Sequence, residues 1–220
     1  MAIDFKGSRQ SYEKDALTEG RSPITPYALL ETWFKEAVAE QIGEAYAFSL
    51  ATCGADMRPS VRTLLMREIV ERDDDIVMIF YSNYDSDKGQ DLAENPHAQG
   101  LFFWADLERQ VRISGKVERL SREKSQAYFH SRPLDSQVAA WVSQPQSGTV
   151  DSRETLDARF DELTEQFGDS VPLPDFWGGY AINVDKVEFW QGRANRMHDR
   201  LLYQKNADNP QGWDRSRLMP

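Results

Sequence analysis

Between residues 188 and 200 the chain reads Glu-Phe-Trp-Gln-Gly-Arg-Ala-Asn-Arg-Met-His-Asp-Arg, a density of aromatic, basic and acidic side chains that packing alone does not require. Trp190 could border a planar ligand. On extended backbone Arg196 and His198 would share a face. His198 could transfer protons near neutral pH, whereas Arg196 would stay charged throughout. A second dense stretch, Tyr128 to Gln137, joins two predicted helices through Pro133. Tyr128 and Arg132 stand four apart and can face one ligand. Ser136 falls near a helix N-terminus, where free N–H groups and the dipole favour a phosphate. The third stretch is Arg62-Thr63-Leu64-Leu65-Met66-Arg67. Read as a strand, it turns Arg62, Leu64 and Met66 to one face and Thr63, Leu65 and Arg67 to the other. One guanidinium could then meet an anion while backbone groups stay free for a flat ring. The structural alternatives are an edge strand with snorkelling arginines for 62–67 and a capped helix junction for 128–137.

Other chemistries lack their signatures. GxGxxG, GxxxxGKS, HExxH and GxSxG are all absent. The 3 histidines, His97, His130 and His198, are far apart, and Cys53 is the only cysteine, so no metal site is expected and no internal disulfide can form. A net charge of −10 and a pI near 4.9 exclude a general nucleic-acid binder, which needs a basic face. Yet 18 of the 26 basic residues are arginine, the side chain suited to bidentate grip on phosphate. An acidic chain with clustered arginines reads as a binder of small phosphorylated ligands; the alternative use of those arginines is surface ion pairing. No run approaches the roughly 20 apolar residues of a membrane span, and residues 1–10 lack a secretory h-region, so a reducing cytoplasm is the expected location.

The elements that must position these residues can be read from periodicity. With 40% hydrophobic and 28% charged residues, the 220-residue chain suits one domain with a real core. Residues 1–25 are polar and read as a mobile arm, and 26–220 as a single domain. A helix over 26–41, capped by Thr25 and opened by Pro26, puts Leu29, Leu30, Trp33, Phe34, Ala37 and Val38 on one face. Strands are predicted over 45–52, 60–70, 76–82, 98–106, 109–120, 180–184, 186–191, 201–205 and 213–218. Short helices are predicted over 85–94, 121–131 and 136–143, and a capping box at Asp151 and Glu154 opens another through Phe167. Short strands at hairpin spacing with helices inserted between them describe a mainly β, α+β barrel decorated by helices. Strand–helix alternation is not repeated, which disfavours a doubly wound parallel sheet.

Together these stretches resemble the pyridoxine/pyridoxamine 5′-phosphate oxidase family, from about Arg9 to Pro220. The likeness is carried by Arg9 with Tyr12, RTLLMR at 62–67, FYSN at 80–83, ENP at 94–96, LERQVRISGKVERL at 107–120, YFHSRPLDSQ at 128–137, FWGGY at 176–180, EFWQGRANRMHDR at 188–200 and the terminal RLMP. The resemblance implies a split β-barrel and a homodimer with FMN in its interface. It assigns Arg62 and Lys88 to the FMN phosphate. It assigns Thr63, Leu64, Leu65, Met66 and Arg67, with Tyr81, Ser82 and Gln110, to the isoalloxazine and ribityl parts. Gln146, Ser147, Trp190 and Arg200 complete the cofactor set. On the substrate side it implies Arg9, Tyr12, Arg67, Tyr128, Arg132, Ser136, Arg196 and His198, with Tyr128, Arg132 and Ser136 gripping the substrate phosphate and Arg196 and His198 catalytic. Two positions depart from the family pattern. Arg67 stands where Lys is common, and Asp87 stands where an Arg beside Lys88 is common.

The reaction so implied is oxidation of pyridoxamine or pyridoxine 5′-phosphate to pyridoxal 5′-phosphate, with hydride passing from C4′ to flavin N5 and O2 reduced to H2O2. A flavin reductase of the same barrel type would lack the Tyr-Arg-Ser clamp and the Arg-Met-His loop. A non-catalytic pyridoxal-phosphate carrier would bind no flavin and would be colourless.

Overall fold

In the computed structural model, which describes Gly7, residues 11–73 and residues 75–220, nine strands form one sheet of antiparallel pairs. Arg9 lies outside the described residues. The strands are β1 (Ala47–Cys53), β2 (Pro59–Leu65), β3 (Glu68–Arg72), β4 (Asp75–Asn83), β5 (His97–Trp104), β6 (Arg109–Arg119), β7 (Trp177–Gln191), β8 (Asp199–Lys205) and β9 (Trp213–Arg217). Their order is β2-β1-β5-β6-β7-β4-β3, with β8 pairing β7 and β9 pairing β8. The two ends of that order, β2 and β3, are consecutive in the chain. The sheet therefore curls until its ends meet, which makes a split barrel.

The junction is two residues long, Met66 and Arg67. Met66 N–H donates to Tyr46 O at 3.0 Å beside β1, and Arg67 N–H donates to Ile79 O at 2.8 Å in β4. The single strand expected over 60–70 is thus two strands with different partners. Period-two patterning sets which face a side chain takes and carries no information on which strand lies alongside. The opposite correction applies at 180–191, where one strand, β7, replaces two. Its register on β6 shifts between Ser114, which pairs Lys186, and Gly115, which pairs Val184, so Asp185 of β7 is the extra residue. A Cβ on Gly115 would lie 2.1 Å from Asn183 O, so only glycine allows that approach.

Helix α1 (Pro26–Ala39) starts at Thr25 and Pro26 as expected and buries Leu29, Leu30, Trp33 and Ala37 against the barrel core of Phe48, Phe80, Phe102 and Phe189. The other helices are α2 (Asp87–Glu94), α3 (Arg122–Ser131), α4 (Leu134–Val142) and α5 (Arg153–Phe167). A smaller core of Phe129, Val138 and Trp177 sits under α3 to α5. The cap of α5 is Ser152, whose Oγ accepts from Thr155 N–H at 3.2 Å, one residue later than the expected Asp151. Residues 11–25 run along β8 and β9: Arg217 donates to Leu17 O at 2.8 Å and Tyr203 to Pro23 O at 2.7 Å. Among the described residues no helix is long and apolar enough to cross a membrane.

Candidate functional site

A cleft of about 460 Å³ opens where the β2–β3 crossing meets β4, α2 and α3. Its walls include Arg62, Thr63, Leu64, Leu65, Arg67, Tyr81, Ser82, Lys88, Tyr128, Arg132 and Gln146, all expected from sequence. Two pairs of cations stand in it. The first is Lys88 with Arg62. Ser86 caps α2 by accepting from Gly89 N–H at 3.4 Å, and its Oγ also accepts from Lys88 Nζ at 3.0 Å. Gln146 Oε1 accepts from the same Nζ at 3.0 Å. Burial, reinforced by the charge of Arg62, lowers the Lys88 pKa to about 8. Arg62 donates to Thr52 Oγ1 at 2.6 Å and Ser60 Oγ at 2.5 Å, with the Asp91 carboxylate standing off at 4.0 Å.

The second pair is Arg132 with Arg67. Arg132 Nη1 is buried and has no hydrogen-bond partner. Its guanidinium carbon sits 4.8 Å from the ring centre of Trp177. Burial pulls the pKa of Arg132 down, and the charge of Arg67 pulls the same way against the Tyr128 oxygen. Between the pairs, the rings of Tyr81 and Tyr128 stack 3.7 Å apart at 16°, and Trp177 lies parallel to Tyr128 within 3°. A donor left unpaired in a buried site costs free energy unless a ligand supplies the acceptor.

A second group gathers at the other end of β7. Trp190, Tyr12 and His198 form a ring cluster, with Trp190–His198 at 4.7 Å and Tyr12–His198 at 5.8 Å between centroids. Arg193 N–H donates to His198 Nδ1 at 3.1 Å, which assigns the remaining imidazole proton to Nε2. Burial, helped by Arg196, lowers the His198 pKa. Residues 194–196 are a 3-10 turn, and Asn195 and Arg196 have φ of 57° and 61°. The extended backbone assumed for Arg196 and His198 is therefore absent, and the turn, not strand alternation, sets their relation. Gln110 pairs across from Trp190, and Trp190 from Arg200.

Trp177 and Trp190 stand thirteen residues apart on β7, roughly 40 Å of strand path at about 3.3 Å per residue. Gln110, Trp190, Arg196, His198, Arg200 and Tyr12 thus do not line the cleft of their own chain. Three further residues lie at its margin. Met66 instead lines a separate cavity together with Tyr27 and Phe34 of α1. Ser147 Oγ accepts from Asp87 N–H at 3.3 Å at the start of α2. Ser136 is half-buried in the first turn of α4, next to Arg132 but off the cleft wall. Sequence reasoning missed Trp177 and Asn83 as wall residues. The signal was FWGGY: glycines following an aromatic residue in a strand mark close approach, and a Cβ on Gly178 would meet Tyr84 Oη at 2.0 Å.

The family model for pyridoxamine 5′-phosphate oxidase matches residues 34–167, and the pyridoxine 5′-phosphate oxidase C-terminal dimerisation region matches residues 177–220. The chain belongs to the pyridoxamine 5′-phosphate oxidase family. A relative named pyridoxine/pyridoxamine 5′-phosphate oxidase, from Psychrobacter arcticus, is 53% identical over 222 residues and covers 100% of both chains. One of the same name from Burkholderia cenocepacia is 48% identical, covering 96% of this chain and 97% of its own. The crystal structure of PhzG from Burkholderia lata 383, in complex with tetrahydrophenazine-1-carboxylic acid, superposes with a TM-score of 0.84 at 30% identity, covering 94% of this chain and 98% of that one. An FMN-binding protein from Nostoc punctiforme shares the fold at a TM-score of 0.69 and 17% identity. The family's enzymes are FMN-dependent oxidases, and the cleft suits that cofactor: it has cations for a phosphate at the α2 N-terminus and a flat aromatic and backbone wall.

Proposed function

We propose that the protein oxidises pyridoxamine 5′-phosphate and pyridoxine 5′-phosphate to pyridoxal 5′-phosphate. The observation that carries this reading is the pair of cation sites in one cleft, Lys88 with Arg62 and Arg132 with Arg67. Two anion sites suit two phosphorylated molecules, a cofactor and a substrate. FMN, when bound, supplies the two-electron acceptor for hydride from C4′ and passes the electrons to O2, giving H2O2; water then hydrolyses the imine from the amine substrate.

The chain's own residues bind and orient. Lys88 and Arg62 hold the FMN phosphate, and Gln146 and Ser147 stand beside them as further cofactor contacts. Tyr128, Arg132 and Ser136 hold the substrate phosphate, and the unpartnered Nη1 of Arg132 gains its acceptor there. Arg196 and His198 orient the substrate and assist with its proton; the neutral His198 ring carries its own proton on Nε2, because Nδ1 accepts from Arg193. These two residues, with Trp190 and Arg200, fall in the dimerisation region and stand away from the cleft of their own chain. That separation supports a homodimer in which each FMN lies at the interface.

The test is an aerobic assay of pure protein reconstituted with FMN, reading pyridoxal 5′-phosphate and peroxide together. Equimolar formation of both from either substrate is expected. Flavin reduction without aldehyde, or binding of pyridoxal 5′-phosphate by a protein that takes up no flavin, overturns the reading.

A further inference from the structure

Four side chains cross the outer face of the sheet in one row, one from each of β5, β6, β7 and β8. Gln99 Oε1, in the amide orientation that the facing donors demand, accepts from Arg112 Nη2 and Nε at 3.0 and 3.1 Å. Arg112 Nη1 donates to Glu188 Oε2 at 3.1 Å. Glu188 Oε1 accepts from Arg200 Nε at 2.9 Å, and Arg200 Nη2 stands at ion-pair distance, 2.9 Å, from the same oxygen. Arg200 Nη1 donates to Met219 O at 2.8 Å. Val187 and Phe189 point into the core, so Glu188 points outward, yet it is only 7% exposed because two guanidiniums cover it.

A carboxylate buried between charges is a poor source of stability compared with apolar packing, so such a group is better explained by the geometry it enforces. Here that geometry belongs to Arg200. A free arginine side chain samples many rotamers, and the desolvated contact on Glu188 fixes one of them. The terminal RLMP motif has a role in the same row, since its Met219 carbonyl holds the third nitrogen.

We propose that Glu188 is a positioning residue for the cofactor: it presents the Arg200 guanidinium to FMN, with Arg112 and the Met219 carbonyl as supports. This rests on the reading of Arg200 as an FMN contact. Charge alone predicts the opposite outcome, because removing a carboxylate near an anionic ligand strengthens binding. The two effects therefore differ in sign.

The experiment is FMN titration of apoprotein by flavin fluorescence quenching, using Glu188→Gln, Glu188→Asp, Arg200→Lys and the Glu188→Asp/Arg200→Lys double variant. Sedimentation and thermal melting of each apoprotein accompany it. Positioning weakens FMN binding about tenfold in both Glu188 variants. Glu188→Asp keeps the charge but withdraws the oxygens by one methylene, and it should sediment and melt as the parent does. It should add nothing once Arg200 is Lys. Should Glu188→Gln not fold, Glu188→Asp decides alone. Unchanged or tighter FMN binding in a folded Glu188 variant overturns the inference while a weakened Arg200→Lys leaves the reading of Arg200 intact. Unchanged binding in Arg200→Lys overturns that reading and the inference with it.

Discussion

The cations of the cleft donate their hydrogen bonds to neutral oxygens, with the Asp91 carboxylate 4.0 Å from Arg62, whereas Arg109, Arg193, Arg200 and Arg217 near the far end of β7 bond carboxylates. Lys88 has the Ser86 hydroxyl and the Gln146 amide, Arg62 has two hydroxyls, and Arg132 leaves one nitrogen unpartnered. By contrast Arg200 rests on Glu188, Arg193 and Arg217 on Asp199, and Arg109 on Asp15 and Glu36. Charges satisfied by neutral dipoles keep their capacity for an anion. Charges already paired are held in one geometry, as Glu188 holds Arg200. The same residue type, arginine, thus has two uses in one chain, and the partner decides which.

The strongest way to break this comparison is to remove the unpartnered group. Arg132→Met should raise KM for the phosphorylated substrates by the worth of a charge-assisted contact, about 1.5–3 kcal/mol. Turnover of unphosphorylated pyridoxine should hardly change. Equal loss on both substrates in steady-state kinetics would show that Arg132 serves packing on Trp177 instead.

Arg196→Ala probes the other region. It should lower kcat/KM by about 1–3 kcal/mol while FMN affinity stays at the parent value. Arg196 also helps hold the His198 pKa below the ordinary range, after burial. Removing it should move the acid limb of the kcat/KM profile to higher pH. An unmoved limb would separate His198 from the proton step.

The pH dependence of FMN binding sharpens the contrast. Lys88 in the apoprotein titrates at about 8, and a bound phosphate would hold its proton to higher pH. FMN affinity should be flat just below about pH 8 and fall above it, by up to about tenfold per pH unit. Lys88→Arg should flatten the curve between pH 7 and 9.5 in a quenching titration.

The smallest effect concerns Asp87, an exposed first-turn residue of α2. As an acidic first-turn residue it suits the helix dipole, while its charge also acts on Lys88 and Arg62. Asp87→Arg should tighten FMN by about 1 kcal/mol, less at high salt, because a flexible guanidinium can turn toward the phosphate. Equal affinity at low salt would show that position 87 does not reach it.

The sequence by itself determined the elements and the local chemistry. Pro26 and Ser121 mark helix starts that the structure keeps, because a proline at the first helical position and a cap onto Lys124 N–H are local, whereas Thr25 stands at its cap position without a side-chain bond. Tyr128 and Arg132 reach one cleft from a single junction for the same reason of short range. Tertiary structure alone decided the partner change at Met66-Arg67, the fusion of two predicted strands into β7, and the left-handed turn at Asn195 and Arg196. It alone decided which arginines meet carboxylates. Glu188 and Arg200 are twelve residues apart on different strands, and Arg109 and Asp15 are 94 apart. Such encounters depend on how a sheet closes, and closure is a property of all its strands at once, with no period in any one of them.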